Sequence, residues 1–229
     1  MRPSKTELIS SIRRCALSYC ENYIKSTYLS IHKQSKKPWF KPWKWYDEFV
    51  YFRTEENGIV DITIRGTEGL GPWIDNCDPF PISGGLYDGF VDGAQILYGS
   101  LYVIMNEYPE KTKFRLNAHS RGVPIAAILA FWLSTTFYIH SVLCWDGPVF
   151  STKEFNDKYN KILGDRTWYI NMKNSAVANI MPRYIFKHKF ERTDENHVIL
   201  LDNGKNNVLD SFTNHKPLEL LKAVFNCLN

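Results

Sequence analysis

Between Tyr87 and Leu228, apolar runs of strand length alternate with segments of helical period, and that alternation restricts the fold more than any other feature of the chain. Phe90, Ala94, Leu97, Leu101 and Ile104 recur at spacings of three and four, which puts one buried stripe on a helix until Pro109 ends the pattern. "KFRLNA" then reads as a short buried strand, "VPIAAILAFWLS" as a helix, "YIHSVLCW" as a strand and "TKEFNDKYNKI" as a helix. "TWYINM" and "HVILLD" follow as strands, and "KPLELLKAVFNCL" as a closing helix. Such an order predicts an α/β fold, with a mainly parallel sheet and helices on both faces. Ligands bind beyond the carboxyl ends of the strands in sheets of this kind. Those ends fall at positions 65–67, 118–120, 145–146, 172–175 and 202–204.

Upstream the reading is coarser. Leu8, Ile12, Ala16, Tyr19 and Tyr23 predict a covering helix over 6–28, and the proline-interrupted "HKQSKKPWFKPWKW", residues 32–45, predicts a loop. "DEFVYFR" and "GIVDITIR" read as a β-hairpin reversed at Asn57 and Gly58. With 229 residues, 44% of them apolar, the chain suits one domain spanning 1–229.

Apolar runs stop short of the roughly 18 residues a membrane span needs, so no transmembrane helix is expected. A glutamate and two arginines interrupt what a signal peptide would need as its apolar region, and no secretion signal is expected. The five cysteines are odd in number and lack paired spacing, which predicts free thiols and a cytoplasmic setting. A net charge of +4 favours anionic partners only weakly. Trp39, Trp43 and Trp45, interleaved with lysines, could make peripheral contact with an anionic membrane, while the plainer reading is a surface loop whose indoles pack on the domain. No nucleic-acid partner is expected.

The stretch "RLNAHSRGVPIAAILA" sits where a strand-like run meets a helix-like one. A serine that attacks an ester must project from a tight strand-to-helix turn, with small residues two before and two after it so that the backbones can cross. Ala118 and Gly122 flank Ser120 in this way, and Pro124 fits the first helical turn, where its missing N–H loses nothing. A serine that merely caps the helix is the other reading of the same residues.

Several motifs together resemble the fungal-type class 3 lipases. "AHSRG" resembles their nucleophile elbow, and "DITIRGTEGLGPWID" their strand ending in arginine, glycine and a hydroxyl residue, followed by tryptophan and aspartate. "GGLYDGFVDGA" and "WDGPVFSTKEFNDKYN" resemble the segments that flank the elbow in that family, so residues 45–220 are covered in order. The resemblance implies an α/β-hydrolase fold and a serine esterase or lipase for acyl glycerols or phospholipids, with no metal or cofactor. Ser120 is then the nucleophile, and the backbone N–H groups of Thr67 and Arg121 form the oxyanion hole. Asp75 braces the loop, and His119, the elbow histidine, packs beneath it.

The base and the acid are unequal in clarity. Along the chain such enzymes order serine, acid and histidine, and His215, just before the last helix, takes the base's place ahead of His188 and His197. At the family's acid position this chain has Ser175, with Asn174 beside it and no carboxylate. Asp146 is the expected substitute, because it ends the strand after the nucleophile's strand and helix and replaces a glycine of the family's motif. Ser175 could orient His215 instead, Asp202 and Asp210 are weaker candidates, and a dyad of Ser120 and His215 is a further one. The missing aspartate also keeps open a pseudoenzyme that binds lipid or protein without catalysis.

Overall fold

Strands β1 (Leu29–Lys36), β2 (Trp45–Thr54), β3 (Ile59–Ile64), β4 (Lys113–His119), β5 (Tyr138–Trp145), β7 (Thr167–Met172) and β10 (Val198–Leu201) form one seven-stranded sheet in that order. The structure is a computed structural model and describes residues 2–19, 29–36, 45–54, 58–66, 85–175, 177, 184–185, 188–191, 197–202, 204 and 215–227. Of the strands at 29–36, 45–54, 184–185 and 188–191 it describes the backbone alone. The pairs from β3 through β10 are parallel, and β1, β2 and β3 pair antiparallel. Three short strands, β6 (Ser151–Thr152), β8 (Tyr184–Ile185) and β9 (His188–Glu191), make a second small sheet. The helices are α1 (Lys5–Leu17), α2 (Asp88–Asn106), α3 (Gly122–Leu133), α4 (Lys153–Leu163) and α5 (Pro217–Cys227).

Successive strand residues point to opposite faces, so the sheet feeds two cores. Phe114, Leu116, Ala118, Val142, Cys144 and Tyr169 pack with α2, α3 and α4 on one face. Leu143, Trp145, Ile170 and Met172 pack with α1 and α5 on the other. Helix α3 is apolar all round and buried over nearly its whole length, since the sheet lies beneath it and α2 and α4 lie beside it. Among the described residues no helix is long and apolar enough to cross a membrane.

Two expectations change. Helix α1 stops at Leu17, capped by Ser18, and so does not run to residue 28 as the apolar stripe suggested; positions 20–28 lie outside the described residues. Residues 32–36 belong to β1 and Trp45 opens β2, where a loop was expected. Lys36 pairs with Trp45 at the end of that ladder, and the prolines at 38 and 42 both fall in the connection. The prolines mark only the reversal, because Pro cannot donate to a ladder.

Helix α1 is fastened at both ends of its buried face. A capping box opens it: Glu7 N–H donates to Ser4 Oγ at 3.2 Å and Ser4 N–H to Glu7 Oε2 at 2.9 Å. Where α1 covers β3 and β4, the layer is polar. Arg14 Nη2 lies 3.1 Å from Asp61 Oδ2, Asn117 Nδ2 donates to Asp61 Oδ1 at 2.9 Å, and Arg115 bonds Glu7 Oε1 at 3.3 Å. Ser11 Oγ accepts from the Trp145 indole N–H at 2.8 Å.

Candidate active site

Strands β4 and β5 run parallel in a register that pairs His119 with Trp145, so the next residue on each, Ser120 and Asp146, emerges at the same level of the sheet. Both residues are left-handed, with φ of 58° and 50°. A non-glycine residue in that region costs about 1–2 kcal/mol, and here the backbone is held on both sides. Ser120 N–H donates to Trp145 O at 2.9 Å, Asp146 N–H donates to Ile170 O at 2.9 Å, and Val123 N–H donates back to Ser120 O at 3.0 Å. Glycine enters this backbone state most readily, and here an aspartate occupies it.

The small residues around the turn are there for space. A Cβ on Gly122 would stand 2.5 Å from Ile64 O, and one on Gly66 would stand 2.8 Å from Ser120 Cβ. Glycine at both positions lets the end of β3 lie directly against the turn. Ser120 precedes the first residue of α3 by two, so the positive end of that helix dipole faces the turn.

The side chains converge in a line. Ser120 Oγ lies 2.8 Å from His215 Nε2, and His215 Nδ1 lies 2.6 Å from Asp146 Oδ2. Because a carboxylate only accepts, Nδ1 carries the hydrogen and Nε2 is left to accept from the serine hydroxyl. Ser175 Oγ donates to Asp146 Oδ2 at 2.5 Å and Met172 N–H donates to Oδ1 at 3.3 Å. Asp146 is fully buried, Ser120 nearly so, and the His215 side chain keeps 17% exposure, which leaves the imidazole an opening to solvent.

The other candidates separate cleanly. Ser175 addresses the Asp146 carboxylate, and it is that carboxylate which meets the His215 ring, so Ser175 stands one bond further out than its expected role next to the imidazole. Arg121 is buried at the start of α3. Asp202 is exposed, and bonds Lys173 at 3.3 Å and the Gly204 N–H at 2.8 Å. His197 sits beside the Trp168 ring, 4.6 Å between centroids, next to the start of β10. Thr67, Asp75 and Asp210 lie outside the described residues, as do Trp39 and Trp43 and the side chains of Trp45 and His188.

Sequence reasoning gave His119 only a packing role and placed Tyr19 in an apolar stripe. The His119 side chain is buried against His215, with ring centroids 4.6 Å apart, and lies 2.8 Å from the Tyr19 hydroxyl. No local signal marks a contact between residues 100 apart. Burial first, and then the neighbouring His215, hold the His119 pKa well below its ordinary value of 6.5.

That depression has a sign. The unfolded chain takes up a proton at His119 near pH 6.5 while the folded one does not, so stability is full above that value and falls as pH drops towards the lower folded pKa. The slope is about 1.4 kcal/mol per pH unit for one proton. Burial and the neighbouring Arg115 and Lys113 lower His140 in the same direction. Urea titrations at pH 7.5 and 5.5 should therefore show a loss at the lower pH, and His119→Gln should make that loss smaller. An equal loss in the variant would show that His119 does not contribute.

No protein-family model and no curated protein sequence matches the chain. Solved structures do match in fold. M37 lipase is 15% identical, with a TM-score of 0.66 over 97% of this chain and 96% of its own. The Yarrowia lipolytica Lip2 lipase is 14% identical, with a TM-score of 0.62 over 85% of this chain and 78% of its own. The Rhizomucor miehei lipase propeptide complex is 17% identical, with a TM-score of 0.60 over 77% of this chain, which spans 63% of that longer one. The chain thus has a lipase-like α/β-hydrolase fold, a mainly parallel sheet flanked by helices.

Proposed function

We propose that this protein is a serine carboxylic-ester hydrolase acting on lipid esters, acyl glycerols or phospholipids. The observation that carries the reading is the line from Ser120 Oγ through both nitrogens of His215 to Asp146 Oδ2, at 2.8 and 2.6 Å. His215 Nε2 takes the hydroxyl proton as Ser120 Oγ attacks the ester carbonyl, and Asp146 stabilises the imidazolium that forms. The imidazolium then protonates the leaving alcohol, giving an acyl-serine. Water, deprotonated by the same imidazole, releases the acid and restores Ser120.

The oxyanion needs donors aimed at charge that exists only in the transition state, each contributing about 3–4 kcal/mol. The N–H of Arg121, at the start of α3, is assigned that task together with the N–H of Thr67. Contact with an anionic membrane through Trp39, Trp43 and Trp45 would bring the site to its substrate. The lipase names of the structural neighbours support the ester class and go no further.

A fluorophosphonate probe tests the reading, with the adduct located by peptide mass spectrometry. A single adduct on Ser120 is expected, along with hydrolysis of short-chain p-nitrophenyl esters. A folded protein with Ser120 unmodified would exclude the hydrolase and leave the lipid-binding module.

A further inference from the structure

His215 is held at more than its two ring nitrogens. Its backbone carbonyl lies 2.7 Å from His119 Nε2, while His119 Nδ1 lies 2.8 Å from the Tyr19 hydroxyl. A carbonyl oxygen can only accept, so His119 carries its hydrogen on Nε2, and its Nδ1, in the neutral ring, accepts from the Tyr19 O–H. The two imidazoles stack, 4.6 Å between centroids and 29° between planes. Tyr19 has a prepared seat of its own. The Arg65 guanidinium carbon lies 5.7 Å from the centre of its ring, and the missing Cβ of Gly66 makes room for its hydroxyl, which such a Cβ would approach to 2.7 Å.

Tyr19 directly follows α1 and its Ser18 cap. The same helix holds Trp145, the residue before Asp146, through Ser11. One N-terminal helix therefore braces the neighbours of both the nucleophile and the acid.

We propose that Tyr19 and His119 are positioning residues for His215: the chain of hydrogen bonds from the Tyr19 hydroxyl through His119 to the His215 carbonyl fixes where the base stands. This rests on the hydrolase reading of the site. The two groups act through His215 on a bond that must be in line for attack, where a displacement of about 1 Å can cost about a hundredfold in rate. Their loss therefore lowers kcat and leaves KM nearly unchanged.

Three variants of the full chain test this, each checked for folding by circular dichroism. Tyr19→Phe removes one hydroxyl and is expected to lower kcat and the fluorophosphonate labelling rate about tenfold, with KM changed less than about twofold. His119→Phe keeps a flat ring but loses both bonds, and is expected to lower them about a hundredfold. His119→Gln keeps an N–H donor near the Nε2 position and is expected to recover most of that loss. Long-range proton–nitrogen NMR of the wild type is expected to show His119 as the neutral Nε2–H tautomer. Labelling of Tyr19→Phe and His119→Phe at the wild-type rate, or an Nδ1–H tautomer, overturns the positioning role alone. A wild type whose Ser120 does not react overturns the hydrolase reading, and this role falls with it.

Discussion

Asp146→Asn is expected to lower kcat for ester hydrolysis by about 10⁴ while the fold stays intact. The carboxylate receives three donors: His215 Nδ1–H and the Ser175 hydroxyl on Oδ2, and Met172 N–H on Oδ1. An asparagine has one accepting atom and must turn its NH₂ towards one side. If the amide oxygen faces His215, the NH₂ opposes Met172 N–H; if it is flipped, the NH₂ opposes the imidazole and drives it to the tautomer that cannot take the serine proton. In neither orientation does a negative charge remain beside the imidazolium. Ser175→Ala removes only one donor from the carboxylate and is expected to cost far less, about tenfold or below. Stopped assays with a p-nitrophenyl ester, on variants matched to wild type by circular dichroism, separate the two. A near-normal Asp146→Asn with a crippled Ser175→Ala would transfer the orienting role to the serine.

Asp61→Asn is the change expected to damage stability most. Asp61 is fully buried beneath α1, with Arg14 Nη2 at 3.1 Å and Arg115 Nε at 3.8 Å. Arg14 and Arg115 are also buried, so neutralising the aspartate takes a negative charge from beside both in a medium that solvates charge poorly, although Arg115 keeps Glu7 at 3.3 Å. Breaking a buried pair from one side typically costs about 3–5 kcal/mol, which for a chain of this size lowers Tm by about 10 °C. By contrast, Lys153→Ala breaks an ion pair with Asp157 in which both side chains are more than half exposed, and it should move Tm little. Thermal melts of the two variants beside wild type decide the matter. A Tm for Asp61→Asn within about 2 °C of wild type would mean that the arginines find other compensation.

The polar layer that contains Asp61 also shows where sequence reading stops. In "VDITIR" the alternation of Asp61, Thr63 and Arg65 with isoleucines is what a half-solvated strand looks like, yet all three polar residues are buried or nearly so. Burial there comes from α1, about 50 residues earlier, and local alternation carries no record of what covers a face. By contrast, β5 and β7 coincide with the runs read as strands, where Val142, Leu143, Cys144, Trp145, Tyr169, Ile170 and Met172 bury apolar side chains on both faces of the sheet.

Ser120 and Asp146 were legible as candidates because each ends such a run. His215 was legible as a candidate from its place just before the last helix, whereas its distances to Ser120 and Asp146 are set by a return of the chain that no local spacing measures. Tyr19 was invisible as a site residue for the same reason as Asp61: its partner lies far off in sequence. Strands β6, β8 and β9, two to four residues long, are too short to leave any periodic trace.

The pairing of His119 with Trp145 in adjacent parallel strands has an engineering corollary. Interstrand spacing, about 4.8 Å in any sheet, serves as a ruler between Ser120 and the Asp146 carboxylate, and no loop length enters that measure. Only His215 has to be brought to the pair from elsewhere in the chain, so changes that leave β4, β5 and β7 intact leave the separation of Ser120 and Asp146 unaltered.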